Sequence, residues 1–195
     1  MNDSTLTRQQ RRKLRTRNQL KTAAGELLIE KGYDALTIQD ITERADLARG
    51  TFYIHFKDKE EAIWSILRDS FSELDNVLYA GDSNDPAAFR YRKWVVFFEY
   101  VAQHRELLSV LIGERGHITL YRRTTDYMAH IIQRDMENGT IERITQQPVP
   151  FVAQFMAGAM MQVIVWWLQQ PPGELSSEEM SRRVFELILR EPPSL

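Results

Sequence analysis

Apolar side chains recur along almost the whole chain at the three- and four-residue spacing of an α-helix. The first example is a face made of Leu20, Ala23, Ala24, Leu27 and Leu28. The alternating pattern of a half-buried strand is missing, and no segment repeats itself. A hydrophobic fraction of 43% is enough to fill a core. The pattern therefore predicts an all-α protein of about nine helices.

Turn-forming residues divide this pattern into segments. Gly32 is predicted to end the first helix, which the apolar face places from about residue 12 to residue 31. The clearest break is the stretch Gly-Asp-Ser-Asn-Asp-Pro at 81–86. The longer helices predicted after it cover 86–103, 105–115, 119–138, 150–169 and 176–190. We expect residues 1–60 to form one domain and residues 61–195 to form a second, helical domain.

Two short helices joined by a three-residue turn describe a helix-turn-helix. The first is predicted over residues 37–45, where Thr37 and Asp40 have the spacing of a capping box. The second is predicted from residue 49 to residue 56, with Phe52 and Phe56 facing inward. The second helix of such a motif enters the major groove of DNA.

The outward-facing residues of the second helix have chemistry that suits DNA. An arginine at its start, Arg49, can donate two hydrogen bonds to guanine. Gly50 lets the backbone come close, and Thr51 offers a hydroxyl or a methyl group to a base edge. Seven basic residues without an acid run from Arg8 to Lys21, which favours a polyanionic partner. The predicted DNA-contacting residues are Thr37, Arg49, Gly50, Thr51, Tyr53, His55, Lys57 and Lys59.

This stretch resembles the DNA-binding signature of TetR-family regulators. The resemblance is carried by 31–33 (Lys-Gly-Tyr), 37–41 (Thr-Ile-Gln-Asp-Ile) and 49–61 (Arg-Gly-Thr-Phe-Tyr-Ile-His-Phe-Lys-Asp-Lys-Glu-Glu). It implies a homodimer that inserts the helix over 49–55 into the major groove and leaves DNA when the C-terminal domain binds an inducer. By the same resemblance, we expect residues 1–60 to form a basic arm and a DNA-binding domain, and residues 61–195 to form a helical regulatory and dimerisation domain. Two positions depart from the family pattern, because Asp46 stands where the turn commonly has glycine and Ala48 where Ser or Thr is common. Asp tolerates the left-handed conformation, so the turn is expected to form.

The last two predicted helices are candidates for the dimer interface. In TetR-like proteins they pair with their mates in a four-helix bundle, and the alternative is that they are ordinary core helices. The predicted interface residues are Phe151, Phe155, Ala159, Val163, Trp166, Trp167, Met180, Val184, Leu187 and Ile188.

Apolar and aromatic residues of the middle helices are candidates for an effector pocket, although a packed core has the same spacing. The predicted lining residues are Trp94, Phe98, Val101, Leu108, Tyr121, Tyr127, Met128, Ile131, Phe155 and Met156. The C-terminal half also resembles the branch that includes regulators of dihydroxyacetone kinase operons. That resemblance raises a protein effector as an alternative to a small molecule.

The sequence lacks the common motifs of enzymes and metal sites. The sequence has no Gly-rich phosphate loop, no nucleophile elbow and no His-Glu-x-x-His pair, and it has no cysteine for a thiolate zinc site. No apolar leader is visible, and the apolar run from Phe155 to Leu168 is too short to cross a bilayer. We therefore expect a cytoplasmic protein without a metal or cofactor.

Three hypotheses follow. The first is a repressor that binds a palindromic operator in double-stranded DNA as a homodimer and is released by a small-molecule inducer. The second is a coactivator or adaptor that a protein partner controls through the C-terminal domain, and an exposed apolar patch would favour it. The third, a small helical enzyme, would need a convergence of titratable groups in a cavity.

Overall fold

The computed structural model describes residues 7–78, 86–113, 116–141 and 145–189, without the side chains of 86–90 and 188–189. Within these ranges the chain forms nine α-helices and no strand, as the periodicity predicts. They are α1 (Arg8–Ala35), α2 (Ile38–Arg44), α3 (Arg49–His55), α4 (Lys59–Leu78), α5 (Pro86–Gln103), α6 (Arg105–Ile112), α7 (Ile118–Glu137), α8 (Val149–Gln169) and α9 (Ser177–Leu189). Residues 81–85 of the predicted break, the predicted helix end at 190 and the side chain of Ile188 lie outside the described residues. Helix α6 ends at Ile112 and not at the predicted residue 115, because Gly113, its C-cap, has an extended backbone.

Contacts divide the chain into two compact units, Met1–Ser70 and Phe71–Leu195, so α4 contributes residues to both. In the N-terminal unit, the apolar face predicted for α1 is buried, together with Phe52 of α3 and Phe56, the C-cap residue of α3. Arg44 of α2 ties that helix to α1, because its guanidinium donates two hydrogen bonds to the carboxylate of Glu30, at 2.8 and 2.7 Å.

Helix α1 begins earlier than the apolar pattern predicts. The hydroxyl of Thr7 accepts a hydrogen bond from the backbone N–H of Gln10, and the Gln10 side chain accepts one from the N–H of Thr7. The apolar pattern missed this start because the first turns bury no side chain. The basic run from Arg8 to Lys21 is therefore helical and is not an extended arm. Gly32 breaks the helix, with φ 76° and ψ 170°, a conformation that glycine adopts readily, but α1 continues after this kink to Ala35 and does not end at Gly32.

In the C-terminal unit, α8 packs against α6 and α7, while α5 packs against α9. The buried ring of Phe98 meets the ring of Trp167 edge-on, with centroids 5.5 Å apart. Arg105, at the start of α6, closes the end of α8, since its Nη2 donates to the carbonyl oxygens of Trp167 and Leu168, both at 2.9 Å, and to that of Gln170. Carbonyls at a helix end lack intrahelical partners, so this arginine satisfies groups that would otherwise need water.

Helix α8 has 21 residues and is the one helix in the described ranges that is long and apolar enough to cross a membrane. It begins six residues before the run from Phe155 to Leu168, so the sequence argument from that short run does not hold for the whole helix. About half of its apolar stretch is buried against its own chain. Helix α8 therefore packs as a core helix of the C-terminal unit, against α6 and α7.

Candidate nucleic-acid interface

Helix α3 is anchored through one face. Phe52 and Phe56 are buried with ring centroids 5.6 Å apart, and the ring of Tyr53 meets that of Phe52 edge-on. The predicted contact residues Arg49, Gly50 and Tyr53 are exposed, and Thr51 and His55 are half-buried. The helix therefore keeps an open outer face while its inner face fills the core of the N-terminal unit.

The turn before α3 forms as expected despite its departures from the family pattern. Asp46 has φ 52° and is the one non-glycine residue of the described chain with a positive φ. The backbone N–H of Leu47 donates to the carbonyl of Thr42 at 2.9 Å and closes the turn. Ala48 makes no side-chain cap to α3, which follows from its lack of a hydroxyl.

Arg49 and Tyr53 lie side by side, one helical turn apart. The guanidinium Nη2 of Arg49 lies 3.4 Å from the hydroxyl oxygen of Tyr53. A hydrogen bond of that length is weak, so it orients the guanidinium without saturating its donors. The pair presents a cation and a phenol together on the exposed edge of α3.

His55 lies at the end of α3, beside the basic half of α1. Its backbone carbonyl accepts a hydrogen bond from Nη1 of Arg17 at 2.6 Å. Its Nδ1 is buried and has no hydrogen-bond partner. Burial, and then the positive charges of Lys13 and Arg17, lower the pKa of His55 below its usual value of 6.5. Basic residues of α1 therefore stand next to the candidate recognition helix.

Lys59 is more enclosed than the other predicted lysine, Lys57, which is exposed. Its ammonium donates to the carbonyl oxygens of Tyr33 and Leu36, both at 2.8 Å, and lies 4.4 Å from the centre of the Tyr33 ring. Burial lowers the pKa of Lys59. These bonds use two of its three N–H donors, which leaves one for a phosphate.

Thr37 is exposed at the start of α2, but its hydroxyl is engaged. It donates to the carboxylate of Asp40 at 2.7 Å and accepts from the backbone N–H of Asp40 at 3.1 Å. The backbone N–H of Thr37 donates to the same carboxylate at 2.9 Å, which completes the predicted capping box. The ammonium of Lys31, 2.7 Å from the carboxylate, and the Thr37 hydroxyl hold the pKa of Asp40 at about 2. The Thr37 hydroxyl is therefore already engaged, next to a carboxylate that is paired with Lys31.

Sequence reasoning missed two features of this surface. Ile54 is 69% exposed on α3, and Arg17 contacts the end of α3. A helical projection of residues 49–56 would have found Ile54, because it places that residue opposite the two inward phenylalanines. No local signal indicates the contact of Arg17, which spans 38 residues of sequence.

The predicted pocket residues of the C-terminal unit differ in burial. Phe98, Val101, Leu108 and Met156 are buried; Trp94, Tyr121, Tyr127, Met128 and Ile131 are half-buried. Tyr127 stacks on Phe71 with ring centroids 5.0 Å apart. Phe155 is 70% exposed, so in the single chain it faces outward and not into an enclosed site.

The predicted dimer residues differ in their burial within the single chain. Trp167, Met180 and Val184 are buried within their own chain, and the indole N–H of Trp167 donates to the carbonyl of Leu175 at 3.1 Å. Val163 is half-buried. The exposed members are Phe151, Phe155, Ala159 and Trp166 on α8 and Leu187 on α9. The exposed members of α8 recur at four-residue and then seven-residue spacing, which places them along one side of the helix.

Two family models match the chain. The first, bacterial regulatory proteins of the tetR family, matches residues 20–62. The second, a transcriptional regulator C-terminal region, matches residues 94–190. Together they cover the helix-turn-helix and most of the C-terminal unit.

Curated relatives are regulators with a helix-turn-helix. YuxN of Bacillus subtilis is 31% identical over 94 residues, which are 46% of this chain and 31% of that protein. YxbF of the same organism is 25% identical over 174 residues, 87% of this chain and 44% of that protein. The chain therefore spans less than half the length of these two relatives. The repressor KstR2 of Mycolicibacterium smegmatis is 22% identical over 89% of this chain and 88% of its own length.

Solved structures share the fold. A TetR transcriptional regulator from Streptococcus agalactiae superposes with a TM-score of 0.68 at 21% identity, over 91% of this chain and 96% of that one. NalD, the secondary repressor of the MexAB-OprM multidrug efflux pump in Pseudomonas aeruginosa, gives 0.64 at 17% identity, over 90% and 94%. With its signature, both family models and this shared fold, the chain belongs to the TetR family of bacterial regulatory proteins.

Proposed function

We propose that the chain is a sequence-specific transcriptional repressor that binds a palindromic operator as a homodimer and leaves it when a small molecule binds the C-terminal unit. The observation that carries the proposal is the outer face of α3, where Arg49 and Tyr53 lie exposed on a helix held by buried phenylalanines. Repression is supported by relatives that are themselves repressors, such as KstR2. In this proposal the protein binds DNA in the cytoplasm and catalyses no reaction.

In this proposal the residues of α3 divide into two roles. Arg49 and Thr51 read base edges in the major groove. Tyr53, His55 and Lys57 bind phosphate oxygens, which fix the position of the protein without reading sequence. Lys13 adds a positive charge next to His55, where the end of α3 would meet the DNA backbone.

A second copy of the chain is proposed to cover the exposed apolar side chains of α8 and α9, Phe151, Phe155, Trp166 and Leu187. Solvent-exposed aromatic residues aligned on one helix are typical of an interface. A twofold axis places the same residues on both sides of the contact. Such a dimer would hold its two α3 helices about 34 Å apart, which is one turn of DNA.

The effector site is proposed to lie among the half-buried aromatic residues of the C-terminal unit, which include Trp94, Tyr121 and Tyr127. An effector releases the operator only if it binds the conformation with low DNA affinity more tightly than the other. The free energy that couples effector binding to DNA release cannot exceed the difference in the effector's binding free energy between the two conformations.

Site selection from random duplex DNA tests the proposal. The full chain at about physiological salt is expected to enrich an inverted repeat, and binding of that repeat is then compared between wild type and Arg49→Ala. We expect the variant to bind roughly 5- to 150-fold more weakly and to lose preference at one base pair per half-site. Arg122→Ala, an exposed arginine on α7, is the matched control and keeps full affinity. Enrichment of no repeat, or an unchanged preference in Arg49→Ala, would refute the proposal.

A further inference from the structure

Two residues on α3 are unfavourable choices for the free protein. Ile54 leaves an apolar side chain 69% exposed. Gly50 is the second residue of the helix, and glycine loses more conformational freedom on folding than alanine does. Apart from its chain neighbours and the backbone of its own helix, a Cβ atom added at Gly50 would meet no atom within 4 Å, and the φ of Gly50 is not positive. Neither the packing nor the backbone of the described chain therefore accounts for glycine at this position.

Both residues lie on the same face of α3. Successive residues of a helix are separated by about 100°, so Ile54 is about 40° from Gly50, one turn further along. By the same geometry Ile54 is about 180° from the midpoint of Phe52 and Phe56, the two residues that hold α3 in the core. Ile54 therefore points away from the core more directly than any other residue of the helix. Residues that lower the stability of the free protein without a structural reason tend to lie on functional surfaces.

We propose that Ile54 reads DNA sequence by contact of its methyl groups with the C5-methyl group of a thymine in the major groove. Gly50, one turn earlier, allows the backbone of α3 to approach the base edges closely enough for that contact. Thymine is the base that presents an apolar group in the major groove, so it complements an isoleucine at the centre of the inserted face. The inference rests on the proposed function, in which α3 enters that groove.

Replacement of thymine by deoxyuridine tests this contact, because the exchange removes the C5-methyl group and leaves the hydrogen-bonding groups in place. Each thymine of a half-site of the selected operator is exchanged in turn, and the affinity of the wild-type protein is measured. We expect one position per half-site at which the loss of the methyl group weakens binding by about fourfold. Ile54→Ala is expected to bind the thymine and deoxyuridine operators equally well at that position.

Two further variants keep the test decisive. Ile118→Ala, an exposed isoleucine on α7, is the matched control and retains the wild-type response to deoxyuridine. Ile54→Val keeps two methyl groups and is expected to give a smaller response than wild type, which still reports on the contact if the alanine variant binds too weakly to measure.

The proposal is overturned if Ile54→Ala, or Ile54→Val in its place, responds to deoxyuridine as wild type does, or if no thymine methyl affects wild-type binding. These results differ from a failure of the proposed function. In that case no inverted repeat is enriched and Arg49→Ala changes nothing, whereas here the operator and its dependence on Arg49 remain.

Discussion

The carbonyl oxygen of His55, at the end of α3, accepts a hydrogen bond of 2.6 Å from Nη1 of Arg17 in α1. The guanidinium carbon of the same arginine lies 4.1 Å from the centre of the Phe56 ring. A helix of seven residues is too short to be stable by itself, and its last carbonyls have no intrahelical partner. The placement of α3 in its unit therefore depends on a basic residue of another helix.

Arg17→Met tests that dependence. The substitution keeps an apolar stem over Phe56 but removes the donor to the His55 carbonyl, so we expect the free energy of unfolding to fall by about 1–2 kcal/mol. Urea denaturation measures the change. Arg15→Met, an exposed position on the same helix, should leave the unfolding midpoint near that of wild type. Equal midpoints for all three proteins would contradict the role assigned to Arg17.

Gly50→Ala is expected to change stability and DNA binding in opposite directions. Alanine should stabilise α3 in the free protein by about 0.5–1 kcal/mol, while its Cβ weakens operator binding if the backbone approaches the bases. Thermal unfolding and a gel-shift titration give the two quantities. Gly25→Ala on α1, where the added Cβ would lie 3.7 Å from Ile66, is the control that should stabilise without weakening binding. Operator affinity unchanged by Gly50→Ala would mean that α3 does not come close to the DNA there.

Asp40→Asn should reduce the sensitivity of the fold to acid. The pKa of Asp40 is about 2 in the folded chain and usually 3.8, so its carboxylate stabilises the fold above pH 3.8, and this contribution is lost as the pH falls towards 2. Asparagine can still accept from the backbone of Thr37 but loses the ion pair with Lys31. We therefore expect a lower melting temperature at pH 7 and a smaller decline between pH 4 and 2. Asp126→Asn on α7 should keep the wild-type pH profile.

His55 is expected to link operator binding to proton uptake. Its pKa is below 6.5 in the free protein because of burial and the charges of Lys13 and Arg17, and a phosphate alongside would raise it again. Binding should therefore strengthen as the pH falls from 8 to 6, by no more than about tenfold per subunit for each unit of pKa change. The free protein should lose stability over the same range, because the unfolded chain takes up the proton first.

Titrations of the operator at several pH values measure this linkage. His55→Gln should flatten both trends, whereas His130→Gln, an exposed histidine on α7, should not. An operator affinity of the wild type that does not vary between pH 8 and 6 would place His55 away from phosphate.

Phe155→Asp tests the proposed dimer surface. Phe155 is exposed in the single chain, so the change should leave the subunit folded while it places two charges in a twofold interface. We expect self-association to weaken roughly 100-fold and operator binding to fall with it. Sedimentation velocity measures the oligomeric state, and Ile118→Asp on α7 provides an equally exposed control. A dimer that survives Phe155→Asp would require a different interface.

The sequence by itself determined most of the helices, because helix ends carry local signals. The Thr37–Asp40 capping box and the break at Gly32 were both predicted from neighbouring residues and are both present. Phe52 and Phe56 were assigned to the core from their spacing alone, and they are buried. The start of α1 was not predicted, because its first turns bury no side chain and therefore show no apolar periodicity.

The tertiary structure decided which sides of the helices are covered. Trp166 and Trp167 are neighbours in a helix that is apolar almost all round, yet one is 42% exposed and the other 2%. Lys59, predicted from the sequence to contact DNA, donates to the carbonyl of Leu36, 23 residues away. Helix formation depends on residues within about four positions of one another, whereas burial depends on partners that are distant in sequence. Only the packed chain brings those partners together.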